Sequence, residues 1–221
     1  MDVVSMLSNQ LQEILGAWLR AIGSSISAIS VTPTRLSGST QANLNIVGLA
    51  LQAAGSGIET EGQSTPFTLE YTGTAITTIG ILENLTASLI DFPDKTDTIL
   101  HIQGNLLKAV GSSLVVLDEI QDSTGVGALE GIIGNMLQTI GSVIQVIAFN
   151  LQYTNSQLSE DDNQQQADSY MQRNQQNGNQ GQKEGQNLMT LGAWIQAIGA
   201  VIAAIGQQKE ETQELQLGID E

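Results

Sequence analysis

LGAWLRAIGSSISAIS at residues 15–30 and LGAWIQAIGAVIAAIG at 191–206 are two spellings of one segment at opposite ends of a 221-residue chain. Their common core is a glycine, an apolar residue three places on, a polar residue four places on, and a second glycine seven places on. The same core returns as GLALQAAG (48–55), GTAITTIG (73–80), GNLLKAVG (104–111) and GNMLQTIG (134–141), six copies in all. Successive copies start 32, 25, 31, 30 and 58 residues apart, so the last interval is about two units long. A repeated unit of this size indicates one supersecondary element stacked on itself.

On a helical wheel the last copy sorts by size. Leu191, Trp194, Ile195, Ile198, Val201, Ile202 and Ile205 share one arc, while Gly192, Gly199, Gly206 and five alanines fill the other side, with Gln196 among them. The first copy sorts the same way. No strand-like alternation survives over these lengths, so the periodicity predicts helices near 4–30, 42–58, 73–90, 97–119, 126–155 and 188–215. Pro33, Pro66 and Pro93 all fall between copies, where they stop helices without breaking them.

The expected fold is all-α: six amphipathic helices in an elongated bundle or short α-solenoid. Three parts follow. Residues 1–155 carry five repeats, 156–187 form a linker, and 188–221 hold the sixth repeat, docked on the bundle, with an acidic tail. The linker assignment rests on Gln172–Asn187, where ten of sixteen residues are Gln or Asn and none is apolar. Composition of that kind predicts disorder.

Glycines seven apart differ by only about 20° around a helix and so form a stripe. Each costs about 1 kcal/mol of helix propensity relative to alanine, which calls for a compensating close approach of another backbone. The candidate packing stripe is Gly16, Gly23, Gly104, Gly111, Gly134, Gly141, Gly192, Gly199 and Gly206. The large face is expected to form the core, through Trp18, Leu19, Ile22, Leu107, Val110, Leu137, Ile140, Trp194, Ile195 and Ile198. Gln196, at the polar position, is expected to matter less than Gly199.

The side-chain inventory excludes much chemistry. There is no cysteine, hence no disulfide and no thiolate metal site. His101 is the only histidine, and Asp91, Asp94 and Asp97 lack calcium-loop spacing. Neither a phosphate loop nor a Ser/His/Asp set can be assembled. No enzyme activity, metal, cofactor or small-molecule ligand is expected. With 23 acids against 7 bases the formal charge is −16, which disfavours nucleic acid. The start of the chain lacks a basic segment and does not resemble a signal peptide, so a cytoplasmic location is expected.

Residues 189–206 and 132–149 are uncharged and nearly long enough to cross a bilayer. Arg20 and Lys108 argue against insertion, because a central charge costs about 2.5–3.5 kcal/mol against small gains per apolar residue. The favoured expectation is therefore a non-enzymatic structural or self-associating protein, a homo-oligomer in water. A membrane-inserting protein using its fifth and sixth helices is the alternative.

The two segments quoted at the outset resemble the repeats of a poorly characterised repetitive-protein family of spore-forming Bacillus-type bacteria. The resemblance covers the six repeat cores and is strongest in the first, fourth, fifth and sixth. It implies a Gram-positive, spore-forming source and a structural, spore-associated role, and it carries over no functional residue.

Overall fold

A computed structural model describes residues 3–63, 65–121, 125–161 and 168–219. It consists of α1 (Val3–Val31), α2 (Gly38–Gly62), α3 (Leu69–Leu89), α4 (Asp94–Gln121), α5 (Ala128–Asp161) and α6 (Asp168–Ile219), with no strand among the described residues. Local chemistry sets several of the ends. Ser37 caps α2 by accepting from the Thr40 N–H, and Thr68 caps α3 by accepting from the Tyr71 N–H. Asp94 and Asp97 place negative charge in the first turn of α4. Gly127, at φ 97°, takes the left-handed conformation just before α5, where glycine has no steric penalty.

The short connections make neighbouring helices antiparallel. Three hairpins result, α1–α2, α3–α4 and α5–α6, and each closes on facing glycines. A Cβ built on Gly16 would lie 2.5 Å from the Gly55 carbonyl oxygen, and one on Gly23 would lie 2.5 Å from that of Gly48. Gly73 meets Gly111 and Gly80 meets Gly104 in the second hairpin. In the third, Gly127 meets Gly206, Gly134 meets Gly199, and Gly141 meets Gly192. Each step of seven along one helix is matched by a step of seven back along its partner. Gly48, Gly55, Gly73 and Gly80, outside the predicted stripe, thus make the same contacts as its members.

The hairpins join in order, α2 on α3 and α4 on α5, and α6 packs back on α1. The all-α bundle is therefore a closed ring and not an open solenoid. The α1–α6 seam is lined by alanine. Ala17 and Ala21 pack with Ala200 and Ala204, and Ala28 packs with Ala193 and Ala197. Two indole N–H groups cross this seam, Trp18 Nε1 donating to Gln208 Oε1 at 3.0 Å and Trp194 Nε1 to Thr32 Oγ1 at 2.9 Å.

The Gln/Asn-rich stretch expected as a disordered linker is helical where it is described. α5 runs on to Asp161 and α6 already begins at Asp168, while residues 162–167 lie outside the described residues. The reason is visible at Gly181 and Gly185, which are buried and lie against Asn155 and Gln152 of α5. Absence of apolar side chains does not leave this segment without a packing partner.

The larger correction concerns which face is inside. None of the ten predicted core residues is buried. Trp18, Leu19, Leu107, Leu137 and Ile195 are half-buried, whereas Ile22, Val110, Ile140, Trp194 and Ile198 are exposed, Val110 by 53% and Ile198 by 52%. Among the described residues the buried apolar side chains are alanines apart from Leu49, Ile81, Val115 and Met189. The glycine contacts cause the inversion. Once glycine faces a neighbouring backbone, the residue four places on lies only about 40° away and turns inward, while the residue six places on lies about 120° away and turns out.

Substitution at the glycines tests this packing. Gly199→Ala would set its Cβ 2.5 Å from the Gly134 carbonyl oxygen and 2.8 Å from the Gln138 nitrogen, both backbone atoms. It should lower stability by about 1–3 kcal/mol. Gly57→Ala, where an added Cβ meets nothing within 4 Å, should instead gain up to about 1 kcal/mol. Thermal melts of both variants check the contrast, and equal effects of the same sign would refute it.

Candidate functional site: a polar interior

The polar position of the repeat builds the interior. Arg20, Gln52, Thr77, Lys108, Gln138 and Gln196 are all buried, one from each helix. Buried polar groups are costly unless hydrogen-bonded, and five of the six, all but Thr77, bond to other side chains. Gln196 is the busiest. Its Oε1 accepts from Lys108 Nζ at 3.0 Å and from Gln145 Nε2 at 2.9 Å, while its Nε2 donates to Ser142 Oγ at 3.0 Å. Gln196, expected to matter less than Gly199, is buried and links α4, α5 and α6. Gln138 Nε2 donates to Asn135 Oδ1, and Gln52 Nε2 donates to Ser27 Oγ across the first hairpin.

Around this network lies a cavity of about 60 Å³. All six helices line it, through Ser24, Gln52, Asn84, Lys108, Gln145 and Gln196 among others. One water needs roughly 10–15 Å³ of such space, so the cavity has room for a few particles of that size. At one end of it His101 stacks on Phe149, with ring centroids 4.6 Å apart and planes within 6°. His101 Nδ1 lies 3.3 Å from Asn84 Oδ1 and its Nε2 lies 3.7 Å from Asp97 Oδ1. Beyond the stack an open cleft of about 440 Å³ is lined by Asp94, Asp97, Gln152, Tyr153 and Gln186, with Phe149 forming part of both walls. His101 thus sits between a small polar cavity and a larger, more open cleft.

A second polar group sits on the α2 and α6 sides of α1. Arg20 Nη2 bonds Glu59 Oε1 at 3.0 Å, with both side chains almost wholly buried. The pair is monodentate, since Arg20 Nε and Glu59 Oε2 have no partner. Gln207 Nε2 bridges two carboxylates, donating to Glu13 Oε2 at 3.0 Å and to Glu211 Oε1 at 2.7 Å. Gln10 Nε2 reaches Glu214 Oε2 at 3.2 Å. Nothing in the sequence pattern marks Glu13 and Glu211 as partners, because the ring closure that brings α6 onto α1 is not a local property. Among the described residues no group of three or more metal-ligating side chains converges.

The geometry defines a class of protein, a ring of small-residue helical hairpins with a hydrogen-bonded polar interior and an apolar exterior. Over residues 11–204 the chain matches a family of unknown function (DUF6944), and it belongs to that family. No curated protein and no solved structure matches it.

The Arg20–Glu59 pair gives a test of the interior. Arg20→Met or Glu59→Gln alone leaves an uncompensated buried group and should cost about 3–5 kcal/mol, whereas Arg20→Met with Glu59→Met should cost much less. Melts of the parent, the single variants and the double variant measure the coupling. Additive losses would mean that the two groups do not depend on each other.

Proposed function

We propose that this chain is a non-enzymatic integral membrane protein, a hairpin ring that holds a hydrophilic interior within the bilayer. The observation that carries the reading is the inverted distribution of side chains. Small and polar residues are inside, and large apolar residues dominate the outer surface of α1, α3, α4, α5 and the 191–205 stretch of α6, while α2 exposes Val47 alone among them. In water, each fully exposed Leu, Ile or Val forgoes about 1.5–3 kcal/mol that burial would gain. Facing lipid, the same residues are at home.

Three further observations support it. The helical stretches Leu7–Val31, Asp94–Gln121, Ala128–Asn155 and Gly181–Gln216 are each long and apolar enough to cross a membrane. Hydroxyl groups bond back to carbonyls four residues earlier, as in Ser25 to Ala21, Ser113 to Ala109, Thr139 to Asn135 and Thr190 to Gln186. That habit satisfies polar groups without water. Arg20 and Lys108 no longer count against insertion, because their charges lie inside the ring and not toward lipid.

The water-soluble structural reading needs a different account of the outer surface: copies of the chain would have to cover apolar stripes on all sides. Membrane fractionation and light scattering separate the two. The membrane reading expects recovery in a pellet that resists salt and carbonate, and monodisperse particles in detergent alone. A defined oligomer in the soluble fraction without detergent would overturn it. Val110→Lys adds a second measure. On a lipid-facing surface it should cost about 2.5–3.5 kcal/mol and reduce membrane yield, whereas on a surface facing water it should raise solubility.

A further inference from the structure

The cavity at the centre of the ring has an electrostatic character unlike the rest of the molecule. In a chain with 23 acids, no carboxylate lines it among the described residues. Lys108 does, 4% exposed, and its bonding partners are two amide oxygens: Gln196 Oε1 at 3.0 Å and Asn105 Oδ1 at 3.5 Å. An ammonium carries three donors and no acceptor, so a third N–H is left over. Ser24 and Asn84, also buried and lining the cavity, bring a hydroxyl and an amide that have donor capacity to spare.

Taking a cation out of water costs several kcal/mol, and neutral amide oxygens offset only part of that. Elsewhere in this interior the same problem is solved by a carboxylate, as Glu59 does for Arg20. At Lys108 the counter-charge is missing from the protein, and the space beside it is small, donor-lined and walled on one side by Phe149 and Met189.

We propose that this cavity is a binding site for one small monovalent anion of halide size, with Lys108 as its counter-ion and Ser24 and Asn84 as further donors. This inference concerns the interior and not its surroundings, so it stands or falls separately from bilayer insertion.

The test uses the purified full chain, in detergent or in plain buffer as its solubility dictates, and chloride as the probe. Thermal melts compare sodium chloride with sodium gluconate at equal ionic strength, and chloride NMR line width reports binding directly. The parent should melt higher in chloride, by on the order of 5 °C near saturation, and should broaden the chloride line, with bromide competing.

Two variants remove the need for the anion in different ways. Lys108→Met deletes the charge, and Gln196→Glu supplies an internal carboxylate at the atom that already accepts from Lys108. Both should lose the chloride dependence of melting and leave the chloride line narrow. Equal melting of the parent in the two salts with an unbroadened line would overturn the proposal, and so would broadening that persists in either variant.

Discussion

The bundle depends on the close approach of facing backbones at glycine. Each hairpin has at least two such contacts seven residues apart, and two contacts fix both the register and the rotation of the paired helices. Rotation then decides everything else. With Gly134 set against Gly199 and Gly141 against Gly192, Gln138 and Gln196 have no direction left but inward. Ile140 and Ile198 have none but outward. About 1 kcal/mol of helix propensity is given up at each glycine, and a chain that repeats the sacrifice so often obtains a defined orientation for every helix.

An interior made in this way is stabilised differently from a hydrophobic core. Alanine, glycine and serine bury little area, so the favourable terms are dispersion between closely packed backbones and hydrogen bonds that have no competing water. The network around Gln196 ties three helices through one side chain, and Arg20 with Glu59 ties the first hairpin to itself. Such networks tolerate little. A single unsatisfied amide or charge costs more here than a methylene does in an ordinary core.

Much of the fold was legible from the repeat. The number of helices, their order and the proline-marked connections follow from periodicity and punctuation, and the six glycine motifs identify the contacts between partners. The sign of the pattern was not legible. A 3.6-residue period separates two faces of a helix but does not say which one turns outward; the facing glycines decide that. Placing Trp194 and Ile198 in the core takes the larger face as the inner one, whereas the polar residue of every copy lies beside the glycine stripe and turns in with it. The Gln/Asn-rich segment makes a related point at its C-terminal end. It lacks apolar anchors, yet Gly181 and Gly185 extend the same backbone packing. Partners such as Gln207 with Glu13 depend on the closure of the ring and leave no local trace.

The seam where the ring closes has a geometry of its own. Trp18 and Trp194 hold the same place in the first and last repeats, and Thr32 and Gln208 each lie fourteen residues beyond them. The bond from Trp18 to Gln208 and the bond from Trp194 to Thr32 are therefore images of one another under a local two-fold axis. The alanines obey it too, since Ala17 and Ala21 correspond to Ala193 and Ala197, and Ala28 corresponds to Ala204. An interface of this kind is self-complementary: either edge carries what is needed to bind a copy of itself. Within the chain the two edges meet as α1 and α6, joined through the other four helices. Circular permutation at any of the three hairpin turns would leave that latch intact, while a chain lengthened by one more hairpin would find the same latch waiting at a larger circumference.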